Sequence, residues 1–108
     1  MKPACRVYGE ARGLAPGAWA RLAPACPLES AVYRDGVLEF EHEGGWVDAD
    51  GFLEALARGL SPGGEGHADV IDNDAWTISR YALTPGQATV ETFGIDDVLE
   101  HTKGEGNL

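Results

Sequence analysis

Apolar and polar side chains alternate most clearly in the segment SAVYRDGVLEFEH, residues 30–42. A period of two predicts β-strands. Asp-Gly between two such runs predicts a two-residue type I′ turn, because both turn residues need a positive φ. With Asp35-Gly36 at the turn, Tyr33 lies opposite Leu38 in the predicted hairpin. One face of this hairpin is then apolar, and it carries Ala31, Tyr33, Leu38 and Phe40.

The next segment changes to the period of an amphipathic helix. Apolar residues at 52, 53, 56 and 60 recur three or four positions apart, which predicts one buried stripe on a main helix at about 48–58. Asp48 is placed to cap the first turn of this helix. Asp50 and Glu54 follow on the outer face of the predicted helix.

Residues 68–94 read as three short strands, joined by turns at Asn73-Asp74 and Pro85-Gly86. In the second of these hairpins Tyr81 lies opposite Val90, and the apolar positions of the region, Trp76 included, are assigned to the core. Further elements are predicted near both ends: a short edge strand at Cys5 to Tyr8, a short helix at Pro16 to Leu22, and a C-terminal helix in GIDDVLEHT with Ile95, Val98 and Leu99 inward.

These elements predict an α+β fold. The expected architecture is an antiparallel sheet of four to six short strands, with the main helix (about 48–58) and the short N- and C-terminal helices packed on one face. A chain of 108 residues fits one compact domain, 1–108, with a frayed tail at 103–108.

Composition excludes several classes of protein. An apolar content of 44% is too high for an intrinsically disordered chain. No apolar run reaches the roughly 20 residues of a membrane-spanning helix, and the N-terminus lacks the apolar stretch of a signal peptide. We therefore expect a cytoplasmic protein. In that compartment Cys5 and Cys26 are most simply reduced and packed, although the sequence also permits a disulfide between them.

Charge is distributed unevenly along the chain, whose net charge is −10. Residues 1–34 contain five basic and two acidic residues, whereas residues 35–108 contain three basic and sixteen acidic residues. Such an acidic chain disfavours direct binding to nucleic acid and to anionic membranes, because both need clustered Lys and Arg. A basic protein surface is its natural complement. The sequence leaves open whether the basic N-terminal third neutralises the acidic remainder.

Six carboxylates without a single Lys or Arg lie within residues 37–56. Three of them recur at every second position of a predicted strand, so they share one side at a spacing of about 6.8 Å, which is comparable to that of a phosphate backbone. With the helix acids and a nearby tryptophan they form a candidate partner-binding surface: Glu39, Glu41, Glu43, Trp46, Asp48, Asp50 and Glu54. The alternatives are a solvated acidic face and a tryptophan that plugs one end of the core.

Candidate chemistry elsewhere in the chain is sparse. His67 and Asp69 are separated by one residue, so on a strand they face the same side and form a candidate metal site. No P-loop, G-x-G-x-x-G or H-E-x-x-H motif is present. We therefore predict a protein that is not an enzyme and needs no cofactor.

At the level of size and composition, this small acidic chain resembles inhibitors encoded by phages and mobile elements, some of which block CRISPR complexes through basic grooves. The resemblance implies a non-enzymatic inhibitor whose acidic surface docks on a basic partner from a nucleic-acid-binding complex. Two alternatives stay open. One is a structural module that forms homodimers or larger homo-oligomers, and the other is a metal-dependent enzyme that uses His67 and Asp69.

Overall fold

The computed structural model describes residues 4–95, and these form six strands and two α-helices. In chain order the elements are β1 (Cys5–Leu14), α1 (Pro16–Leu22), β2 (Ser30–Arg34), β3 (Val37–Gly44), α2 (Ala49–Gly59), β4 (Leu60–Asp72), β5 (Thr77–Thr84) and β6 (Gln87–Gly94). A single 3₁₀ turn, Ala23–Ala25, follows α1. All six strands belong to one antiparallel sheet in the order β2-β3-β1-β4-β5-β6.

The predicted α+β fold with short strands is wrong. The protein is mostly antiparallel sheet, with 57% strand and 24% helix. Two strands are much longer than expected: β1 has 10 residues, and β4 has 13 and runs through the glycine-rich SPGGEG segment. Strand β4 pairs with β1 at Leu60 and again from Glu65 to Asp72, and the residues between form an irregularity in the pairing, where Gly63 has a positive φ of 83°.

Strand β1 lies at the centre of the sheet, whereas the sequence predicted a short edge strand at Cys5 to Tyr8. It pairs with β3 on one side and with β4 on the other. The side chains of Val7, Ala11 and Leu14 on one face of β1 are buried. Both of its neighbours come from distant parts of the chain, so the local pattern alone could not reveal its central position.

Both helices cover the same face of the sheet and enclose the core. The prediction of the main helix is confirmed: Asp48 is its N-cap and accepts a hydrogen bond from the Gly51 N–H at 3.0 Å. The predicted apolar stripe of α2 is buried against the sheet. No helix within residues 4–95 is long and apolar enough to cross a membrane.

Both predicted hairpin registers are confirmed. Asp35 and Gly36 have φ values of 51° and 82°, and Tyr33 pairs with Leu38. In the second hairpin Tyr81 pairs with Val90. The assignment of Trp76 to the core is wrong, because its side chain is 40% exposed on the β4–β5 turn. Of the predicted C-terminal helix only Gly94 and Ile95 are described; the rest of it and the tail at 103–108 lie outside the described residues.

His42 is buried on the helix-covered face and joins two separate segments. Its Nδ1 accepts a hydrogen bond from the Glu29 N–H at 3.1 Å. The proton is therefore on Nε2, which donates to the Gly45 carbonyl at 2.9 Å. The ring thus ties the start of β2 to the connection between β3 and α2.

Replacing His42 with leucine should destabilise the protein by about 2 kcal/mol, because the Glu29 N–H and the Gly45 carbonyl both lose their partner. Urea unfolding followed by circular dichroism measures this loss. The matched control is His67→Leu, at an exposed histidine, which should change the free energy of unfolding by less than about 0.5 kcal/mol. Equal stability of the two variants would contradict this role for His42.

Candidate functional site

One face of the sheet is covered by α1 and α2, and the opposite face, here called the open face, is covered by no helix among residues 4–95. Because side chains alternate along each strand, the open face receives the residues between the core positions. Its charged residues are mainly acidic: Glu10, Glu39, Glu41, Glu43, Glu65, Asp69 and Glu91, with Arg6, Arg12, Arg34 and Arg80 between or beside them.

A shallow depression of about 460 Å³ lies in the centre of the open face, where β2, β3, β1 and β4 run side by side. We call it the acidic groove. Four carboxylates surround it, together with one tyrosine and one histidine: Glu10, Glu39, Glu41, Asp69, Tyr8 and His67. The polar side chains come from the three central strands, so a rigid sheet holds their positions.

The carboxylates of the acidic groove are incompletely neutralised. Glu10 and Glu39 face each other directly across β1 and β3, an arrangement in which like charges repel. Glu10 is paired with Arg12 at 2.8 Å. Within residues 4–95, in contrast, the side chains of Glu39 and Glu41 are exposed and form no hydrogen bond or ion pair.

The third acid of the predicted strand, Glu43, is held differently. Its Oε1 accepts a hydrogen bond of 2.6 Å from the hydroxyl of Tyr8, which lies diagonally across from it on β1. This hydrogen bond raises the pKa of Tyr8, and burial adds to the effect. Glu43 therefore has a partner within the chain, whereas Glu39 and Glu41 have none in the described part.

The six predicted acids do not form one surface. Glu39, Glu41 and Glu43 lie on the open face, whereas the helix acids lie on the helix-covered side of the sheet. There Asp50 accepts a hydrogen bond of 2.9 Å from the hydroxyl of Tyr81. Burial, followed by this hydrogen bond and the nearby charges of Asp48 and Glu54, raises the pKa of Tyr81. A flat partner surface can contact one of the two groups of acids but not both.

The raised pKa of Tyr81 predicts a specific loss of stability in alkali. The unfolded chain ionises this tyrosine near its ordinary pKa of about 10, whereas the folded chain keeps it neutral to higher pH. The contribution of Tyr81 is therefore complete below about pH 10 and declines as the pH rises further. We expect Tyr81→Phe to be less stable than wild type at about pH 8, by about 1 kcal/mol, and the difference to shrink towards about pH 12. Urea unfolding across this range tests it, and a constant difference would contradict the assignment.

Trp46 is 71% exposed on the segment between β3 and α2. The sequence allowed Trp46 to be either an exposed residue of a binding surface or a residue packed against one end of the core. The structure favours the first interpretation. The hydrogen bond from His42 to the preceding residue, Gly45, anchors this segment. Exposed tryptophans in anchored segments are frequent hot spots of protein interfaces.

His67 and Asp69 share one side of β4, as predicted. The Oδ1 atom of Asp69 lies 3.7 Å from the Nε atom of Arg80. His67 lies opposite Glu10, whose carboxylate forms an ion pair with Arg12. Among residues 4–95, no group of three or more His, Cys, Asp or Glu side chains has the geometry to hold a metal ion.

Cys5 and Cys26 are free thiols, and burial raises the pKa of Cys5.

The segment GLSPG at 59–63 matches the G-x-S-x-G pattern of hydrolases. In hydrolases that serine sits on a sharp turn from a strand into a helix. Here the order is reversed, since α2 ends at Gly59 and Ser61 lies in β4. No histidine among the described residues is hydrogen-bonded to Ser61. The match therefore does not make a nucleophile.

The basic N-terminal third neutralises the acidic remainder only in part. Strand β1 carries Arg6 and Arg12 between the acidic strands β3 and β4, towards the two ends of the open face. The centre of that face keeps its negative charge. Sequence reasoning missed Glu10 as a member of the site, because recognising it requires β1 to be a central strand with its even-numbered residues beside the odd-numbered residues of β3.

Comparison of the chain with protein-family models, with curated proteins and with solved structures finds no match. The proposals below therefore rest on the geometry of this chain.

Proposed function

We propose that this protein is a non-enzymatic inhibitor that docks its acidic groove on a basic, nucleic-acid-binding protein surface. The observation that supports it best is the state of Glu39 and Glu41, which are exposed on a helix-free face and have no cationic partner in the described chain. The repulsion between Glu39 and Glu10 would be relieved by a lysine or arginine placed between them.

The spacing of these acids suits a surface that normally binds phosphates. Residues two apart on a strand are separated by about 6.8 Å, close to the distance between successive phosphates of a nucleic-acid strand. Lysine and arginine side chains spaced to contact phosphates would therefore match Glu39, Glu41 and Glu43. The protein would block the partner by occupying this surface, in the manner of the anti-defence inhibitors of phages and mobile elements, and it would do so in the cytoplasm.

The exposed Trp46 supplies the apolar contact that such a surface needs. Exposed ion pairs alone contribute little free energy, whereas a buried aromatic side chain contributes far more. Trp46 follows directly after the acidic strand, separated from Glu43 by two glycines. Charge would therefore steer the encounter, and the tryptophan would lengthen the lifetime of the complex.

Affinity capture from an extract of the source cells tests this function. The immobilised protein is compared with its Glu39→Lys/Glu41→Lys variant at low and at moderate salt, and the retained proteins are identified by mass spectrometry. We expect wild type alone to retain a basic nucleic-acid-binding protein, which added DNA or RNA and rising salt both release. Equal retention by the variant, or a partner that nucleic acid does not displace, would overturn the proposal.

A further inference from the structure

We propose that two copies of this chain associate through the outer edges of their β2 strands. The two strands run antiparallel about Val32, and Arg34 of each copy pairs with Glu41 of the other. The result is a single sheet that continues through both copies. The inference is separate from the proposed function, because it rests on the outer edge of β2; of the four carboxylates of the acidic groove it uses only Glu41.

The turn geometry determines which backbone groups β2 offers to a second copy. Arg34 and Val37 flank a two-residue turn, so they exchange both hydrogen bonds with each other. Because hydrogen-bonding direction alternates along a strand, the N–H and C=O groups of Ala31 and Tyr33 point away from β3. Within residues 4–95, β2 is at the end of the sheet, so no other strand pairs with this edge.

Antiparallel pairing about Val32 satisfies these groups in both copies. Ala31 of one copy lies opposite Tyr33 of the other, and each such pair exchanges two backbone hydrogen bonds. Val32 then faces Val32 of the second copy as a non-hydrogen-bonded pair, in which side chains approach most closely. This contact would cover a valine that is 57% exposed in the single chain.

The charges on the open face complement each other in this register. Arg34 of one copy lies opposite Ser30 of the other, and Ser30 is paired on its far side with Glu41. All three side chains point to the open face, and the short Ser30 leaves room for the two long side chains to meet above it. Within residues 4–95, neither the Arg34 side chain nor the Glu41 side chain has a hydrogen-bond or ion-pair partner of its own.

The dimer would use one rim of the acidic groove and leave its centre accessible. Ser30, Val32 and Glu41 line the groove and also take part in the dimer. Glu10 and Asp69 lie on β1 and β4, two and three strands from β2, so a second copy at the β2 edge does not cover them. Few hydrogen bonds and one small apolar contact predict a weak interface, with a dissociation constant on the order of 10–100 µM. Moderate salt is needed to observe it, because two copies of net charge −10 repel each other.

Sedimentation equilibrium at protein concentrations below and above this range tests the inference. We expect the average mass of wild type to rise towards twice that of one chain. Arg34→Glu and Glu41→Arg should each raise the dissociation constant about tenfold, because each single change places like charges above Ser30 in both copies. The double variant Arg34→Glu/Glu41→Arg should restore dimerisation, since it rebuilds both pairs with the signs exchanged.

The control is Arg58→Glu on the exposed side of α2, which makes the same charge change as Arg34→Glu far from the β2 edge. It should dimerise as wild type does, and circular dichroism confirms that every variant is folded. A wild type that stays monomeric throughout, or a double variant no better than its single parents, would overturn the inference. Because Arg34→Glu leaves the acidic groove intact, its capture of a basic partner distinguishes a failure of the dimer from a failure of the proposed function.

Discussion

Replacing Glu39 and Glu41 together with lysine is expected to weaken binding of the basic partner at least about 100-fold, which corresponds to about 2.7 kcal/mol. Close charge pairs at protein interfaces show coupling energies of about 1.5 kcal/mol or more, and reversal adds repulsion to the loss of attraction. Both side chains are exposed and have no partner within residues 4–95, so the fold itself should tolerate the change. Isothermal titration with the captured partner at moderate salt measures the effect.

The matched control is Glu54→Lys/Asp74→Lys. It changes the net charge by the same amount at two exposed acids outside the acidic groove, one on α2 and one on the β4–β5 turn. We expect this control to weaken binding by less than about tenfold, through long-range charge alone. Equal losses in both variants would mean that net charge and not the groove attracts the partner. A larger loss in the control would place the docking surface on the helix-covered side.

Replacing Phe40 with alanine should lower the free energy of unfolding by about 3–5 kcal/mol. The ring is 4% exposed and meets Phe52 of α2 edge to face, with ring centroids 5.9 Å apart. It also covers Gly9 in the centre of the sheet, where an added Cβ would lie 2.5 Å from the ring. Alanine would leave a cavity between sheet and helix and would uncover this glycine.

Urea unfolding followed by circular dichroism measures the effect of Phe40→Ala. Since domains of this size have a total stability of about 5–15 kcal/mol, the variant should be close to unfolding at room temperature. Val32→Ala removes an exposed apolar side chain from a neighbouring strand and should cost less than about 0.5 kcal/mol. If Phe40→Ala lowers the free energy of unfolding by less than about 1 kcal/mol, the ring does not contribute to the core as proposed.

The two predictions are linked through strand β3. Phe40 lies between Glu39 and Glu41, with its side chain on the opposite face of the same strand. The packing that anchors Phe40 in the core therefore also holds the two carboxylates in position. Because the strand already holds the two carboxylates in place, less conformational entropy is lost when a partner binds. Carboxylates on a strand therefore bind a partner more tightly than the same carboxylates on a loop would.

Local features of this protein could be predicted from the sequence because short-range chemistry determines them. The Asp35-Gly36 turn follows from the positive φ that both residues adopt, and the register of the hairpin follows from the turn. The main helix follows from its apolar period and from the cap at Asp48. The alternation that places Glu39 and Glu41 on one side also needs only the two-residue period of a strand.

Pairing between distant segments decided the rest. No local pattern shows that β1 lies between β3 and β4, or that β4 pairs with β1 on both sides of the SPGG segment, because both depend on hydrogen bonds between strands far apart in the sequence. The same pairing brings Glu10 beside Glu39. The pairing also separates the acids of β3 from the acids of α2. Helix α2 covers the apolar face of the sheet, whereas the acidic side chains of β3 lie on the opposite face. The alternation of these carboxylates can be predicted from the chain alone. Which of them share a surface depends on strand pairing and packing, because a sheet has two faces and its core can occupy just one.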